Sequence, residues 1–106
     1  MNYYRQGDLS FHPIKKPTKE LNKVNFIGSF VLQTGEATGH AHRLKADPKE
    51  VRLFRDFDGS LILQIDGKAI LDHEEHKTIE LAPGWYKMKN EREYSYFENS
   101  VHKVVD

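Results

Sequence analysis

The 106-residue sequence contains no cysteine, no excess of either charge and no long apolar run. Each absence removes a class of protein. Without cysteine there is no disulfide staple, no thiolate metal ligand and no cysteine nucleophile. Sixteen Lys and Arg balance sixteen Asp and Glu. General nucleic-acid binders and anionic-membrane binders draw affinity from surplus cations, so both are disfavoured. No stretch approaches the roughly 20 apolar residues of a membrane span. The start, MNYYRQGDLS, lacks the apolar segment of a signal peptide. The expectation is a cytoplasmic, non-membrane protein of one domain, residues 1–106. Helical signals are scarce too, since no amphipathic pattern extends beyond two turns.

What remains is mostly period two, the mark of strands. Leu9, Phe11 and Ile14 predict a first strand, stopped by Pro13 and Pro17. A polar stretch, KKPTKELNK (15–23), follows as a loop or helical turn. Val24 to Gln33 carries apolar side chains on both faces and predicts an internal strand. Gly35 and Gly39 bracket a turn, and residues 38–44 extend again. Val51, Leu53 and Phe57 alternate, although the charges of 48–57 also suit a helix. Asp58-Gly59 and Asp66-Gly67 are hairpin signals on either side of Leu61, Leu63 and Ile65. Ile79 and Leu81 precede the turn Pro83-Gly84, and Trp85 to Tyr94 reads as a long strand. The tail 95–106 reads as a short strand or docked turn. The fold class is therefore all-β, a small barrel or sandwich with a polar loop after the first strand.

Four of the six histidines form two short motifs. His40 and His42 share one face if their segment is a strand. His73 and His76 flank Glu74 and Glu75, and converge only on a helical turn, bulge or loop. If that loop folds over the first pair, up to four imidazoles meet. Neutral imidazole is the commonest metal-binding side chain, and a nitrogen set suits Zn, Fe, Ni, Cu or Mn. The set expected here is one divalent ion on His40, His42 and His76, with His73 as a fourth ligand or outside the shell. An open coordination position beside Glu74 or Glu75 as proton acceptor would be a catalytic arrangement on a small-molecule substrate. The plainer account is a solvated HEEH loop and a pair of half-buried strand histidines. His12 and His102 stand alone.

Arg92 and Tyr94 continue the face of Tyr86 and Met88. An inward guanidinium needs a partner, either a bound anion or a structural carboxylate. Tyr3, Tyr4, Trp85, Tyr96 and Phe97 lie near chain ends and turns, and Lys15, Lys16, Lys19 and Lys23 near one another. They allow a second function, a β-barrel module binding a protein or single-stranded nucleic acid. Clustered imidazoles also allow a pH sensor. An exposed edge strand would permit an oligomer.

The motifs YRQGD (4–8), GEATGHAHR (35–43), LDHEEH (71–76), LAPGWY (81–86) and EREY (91–94), in this order, resemble a group of small uncharacterised bacterial and phage-borne proteins. That resemblance implies that the four histidines act together, and implies no activity. A weaker similarity is to cupins, which are metal-binding β-barrels. Gly35 stands before the HxH motif, but no Glu follows it and the Pro-Gly comes after the second histidine pair. No cupin role transfers to any residue here.

Overall fold

A computed structural model describes residues 3–34 and 40–90. It is all-β: β1 (Tyr4–Gln6), β2 (Leu9–Ile14), β3 (Asn22–Val24), β4 (Ser29–Thr34), β5 (Ala41–Lys45), β6 (Val51–Arg55), β7 (Leu61–Ile65), β8 (Ala69–Asp72), β9 (Ile79–Leu81) and β10 (Gly84–Asn90). The strands form two antiparallel sheets, one of six in the order β1-β2-β10-β7-β6-β3 and one of four in the order β4-β5-β8-β9. Both sheets keep open edges among the described residues, so the barrel alternative gives way to two separate sheets.

One apolar core joins them. The six-stranded sheet contributes Leu9, Phe11, Val51, Leu53, Leu61, Leu63, Ile65 and Tyr86; the four-stranded sheet contributes Leu44, Ala69, Leu71 and Leu81. Alternation explains the selection. Leu61, Leu63 and Ile65 point one way, as period two requires. Each fully buried leucine contributes about 1.5–3 kcal/mol relative to an exposed one. Tyr86 is anchored through its hydroxyl, which donates to the Ala82 carbonyl at 2.8 Å. Burial and the neighbouring Tyr4 push that phenol up to about 12.

Several sequence expectations need correction. The first strand is preceded by another, β1, and Gln6 pairs with Leu9 across the two-residue turn Gly7-Asp8. Gly7 has φ 58°, a backbone setting that suits glycine at the first position of such a turn. The polar loop therefore follows the second strand. Pro13 sits within β2 and does not stop it. β1 pairs no further than Phe11, so Pro13 removes no ladder bond on that side.

Residues 24–33 are not one internal strand. β3 is an edge of the larger sheet and β4 an edge of the smaller. The chain changes sheet between them, at Gly28 with φ 111°. Ile27 is 77% exposed there, which a buried two-faced strand would not allow. The segment 48–57 resolves as a turn and then a strand, and Asp58-Gly59 closes the β6–β7 hairpin as expected. Asp66-Gly67 makes no hairpin, because β7 and β8 lie in different sheets. The β8–β9 hairpin is real, and its connection is residues 73–78. That places the HEEH segment at one end of the small sheet.

Candidate metal centre

The site forms where the end of the small sheet meets the β1–β2 hairpin of the large one. His42 and Leu44 share the inward face of β5. Leu44 enters the core, while His42, two residues nearer the strand's start, reaches the end of it at 6% exposure. The β4 partner of His42 is Gln33, just past a bulge between Val31 and Gln33. A bulge bends its strand locally, and here it lies directly opposite the site.

Gln6 sets the orientation of His42. Its amide nitrogen donates to the carbonyls of Leu71 at 3.0 Å and Lys77 at 2.9 Å. Both partners are pure acceptors, which identifies the nitrogen end of the amide. The amide oxygen therefore faces His42 Nδ1, at 2.9 Å. A carbonyl oxygen can only accept, so His42 carries its proton on Nδ1 and its lone pair on Nε2. A hydrogen bond to the far ring nitrogen is the usual device that holds a ligating imidazole in one tautomer.

His73 and His76 come from the 73–78 connection, and their rings lie 4.5 Å apart between centroids. The His73 ring is 4.4 Å from that of His42, and the His76 ring 5.6 Å. One nitrogen from each of the three imidazoles falls within 4.8 Å of the others. Three nitrogens bound to a single zinc ion at roughly 2.0–2.1 Å sit about 3.3 Å apart. The set therefore needs to draw in by about 1.5 Å at most. His42 is buried, His73 half-buried and His76 exposed, so the group opens to solvent on one side.

The loop thus packs its histidines against His42 of β5, while His40 lies just before that strand and off the shared strand face expected for the pair, and His73 takes the place expected for His40. The His40 ring is 6.0 Å from that of His73, and His40 Nδ1 faces the Glu75 carboxylate at 3.5 Å. Glu74 has a different task. Its two oxygens accept from the Ala41 amide and the Arg43 guanidinium, both at 2.9 Å. These bonds hold its carboxyl down from 4.5 to about 2, with the Arg43 bond the largest cause. Such a carboxylate takes up protons poorly near neutral pH. It clips the loop to β5. Asp72 is held below its ordinary range in the same way by Lys45, at 2.9 Å.

A pH prediction follows from Glu74. Its folded pKa is depressed, so its stabilisation is present above the unfolded value of 4.5 and is lost as pH falls towards about 2. Wild type should lose more thermal stability than Glu74→Gln between those limits. Parallel melting curves for the two proteins would show that Glu74 is not a clip.

Two residues of the site carry no metal-ligand signature in the sequence, Gln6 and Gly7. A Cβ built on Gly7 would lie 2.7 Å from His76 Nε2 and 3.1 Å from His42 Cε1. The backbone of the β1–β2 turn therefore forms a wall of the site. The available signal was Gly-Asp ahead of the alternating Leu9 and Phe11, which marks a hairpin.

Only some of the other expected residues fall among those described. Arg92 and Tyr94 lie outside the described residues, as do Tyr96 and Phe97. Trp85 stacks on Phe54 at 5.8 Å, and Tyr3 on His12 at 4.9 Å. Tyr4 meets Tyr86 edge-on at 5.8 Å and packs against the core. Among the described residues these are three separate ring pairs. Among the described residues, no helix is long and apolar enough to cross a membrane.

Fold and site together define an all-β domain of two sheets with a three-histidine cluster at their junction. The chain belongs to the family described as Domain of unknown function (DUF8820), whose model matches residues 5–91. That span holds Gln6, Gly7 and all four clustered histidines. No curated protein and no solved structure matches the chain.

Proposed function

We propose that this domain binds one divalent transition metal ion through His42, His73 and His76, and presents it to a small-molecule substrate on the solvent side. The observation that carries this reading is the convergence of three imidazole nitrogens within 4.8 Å, one of them on a ring oriented by a buried glutamine. A solvated charged loop gives no reason for that convergence. An all-imidazole set with no thiolate suits Zn, Fe, Ni or Mn. Three protein ligands leave positions open, which is the catalytic pattern and not the closed structural one.

The ion would supply Lewis acidity at those open positions. The chain's own residues divide the remaining work. Gln6 orients His42, Gly7 keeps the β1–β2 turn close to His76, and Glu74 holds the loop in place. In this reading Glu75, beside His40, is the acid that takes up a proton.

Metal analysis of protein purified without a histidine tag tests the reading. The expected result is close to one equivalent of a single transition metal. A metal that binds only the folded chain adds about 2.7 kcal/mol at a hundredfold excess over its dissociation constant. For a domain of this size that is roughly 10 °C or more of melting temperature, reversed by EDTA. Below about a tenth of an equivalent, with melting indifferent to added metal and to EDTA, the proposal fails.

A further inference from the structure

His73 already has work for its Nδ1. The amides of Glu75 and His76 both donate to that atom, at 2.9 and 3.3 Å. An imidazole nitrogen that accepts carries no proton, so the neutral His73 ring has its proton on Nε2. His42 is the reverse, with Nδ1 donating to Gln6 at 2.9 Å. The two rings lie 4.4 Å apart in opposite tautomers.

This arrangement constrains how a metal can enter. Coordination through Nδ1 takes the lone pair that the two amides share. Coordination through Nε2 requires the proton to move to Nδ1, where it would face two N–H donors. Both routes break the same two hydrogen bonds. His42, in contrast, keeps its proton on Nδ1 against Gln6, so its tautomer need not change.

We infer that His73 is a latent ligand. Metal capture by this site is coupled to rearrangement of the 73–76 turn, in which the ring gives up the Glu75 and His76 amides. The inference rests on the proposed metal reading and adds how the site is regulated. Without metal, His73 caps its own turn and the loop is held closed. With metal, the same ring becomes the third ligand, and the stretch bearing Glu75 is freed to adjust around whatever occupies the open positions. The turn bonds oppose binding, so they lower the affinity for every ion by the same factor.

Imidazole nitrogen-15 spectra of the labelled protein, recorded at constant neutral pH before and after addition of zinc alone, provide the test. In the metal-free protein His42 should show the Nδ1–H form and His73 the Nε2–H form. Zinc should leave the His42 tautomer unchanged and convert His73, either by coordinating its Nδ1 or by moving its proton there. His73→Asn supplies the control, because an asparagine oxygen can accept the same turn amides but cannot replace the imidazole. It should melt within a few degrees of wild type and bind zinc at least about tenfold more weakly. Zinc that binds with the His73 spectrum unchanged, or binds His73→Asn as tightly as wild type, overturns the inference and leaves the metal reading standing. An Nδ1–H form of His73 in the metal-free protein also overturns it. If zinc does not bind wild type at all, the metal reading falls and takes this inference with it, while the two metal-free tautomers are still read.

Discussion

His42→Ala should weaken metal binding by at least about a hundredfold while the domain stays folded. A four-ligand zinc site binds with roughly 10–16 kcal/mol, so one ligand is worth about 3 kcal/mol, or two orders of magnitude. His42 is the most buried of the three and the one whose tautomer is already set. His76→Ala should cost a similar factor with less effect on stability, since His76 is exposed. His40→Ala should change affinity by less than about tenfold, because His40 lies beside Glu75 and outside the group of three. Calorimetric titration with zinc reads all three. Equal losses at His40 and His42 would show that the ion is held by a different set.

Gln6→Ala should destabilise the domain by about 2–5 kcal/mol, more than any other change at the site. Gln6 is 3% exposed and makes three side-chain hydrogen bonds, to His42 and to the carbonyls of Leu71 and Lys77. Its removal strands these partners away from water, at about 1–3 kcal/mol for each that finds no replacement. The bonds also tie β1 of one sheet to β8 and the connection before β9 in the other, so their loss loosens the junction on which the site stands. Gln6→Glu separates the roles. A carboxylate still accepts from His42 but cannot donate to two carbonyls, and its charge lies against both oxygens. Urea unfolding should therefore place Gln6→Glu near Gln6→Ala and well below wild type. A wild-type midpoint for Gln6→Ala would remove Gln6 as the link between sheets.

The histidines and Gln6 differ in how far the sequence exposes them. Two short histidine motifs in a cysteine-free chain mark candidate ligands without coordinates, because imidazole chemistry is local to the residue. The HEEH spacing also requires a helical turn, a bulge or a loop if its two histidines are to converge, since residues three apart face opposite ways on a strand. Gln6 has no such signature. A glutamine is a ligand-positioning residue only through what it touches, and its partners lie 36, 65 and 71 positions away. Glu74 and Glu75 look equivalent as neighbours in sequence. The pairing of β5 with β8 separates them, bringing Arg43 and the Ala41 amide to Glu74 and leaving Glu75 beside His40.

The same division holds for the fold. Apolar residues at alternate positions, Leu61, Leu63 and Ile65 in one strand and Tyr86 and Met88 in another, predict strands and the face that meets the core, because a strand's side chains alternate whatever lies beside it. Partner choice does not follow from that pattern. Asp58-Gly59 and Asp66-Gly67 are equivalent turn signals, yet one closes a hairpin and the other carries the chain between sheets. The difference lies in where the next strand finds an apolar surface to cover, which only the assembled core supplies. The sequence by itself determined an all-β chain, the absence of thiolate ligands and the two histidine motifs from which a cluster could form. The tertiary structure decided that His73 and not His40 completes the group, that Gln6 and Gly7 belong to the site, and that the site lies at the junction of two sheets.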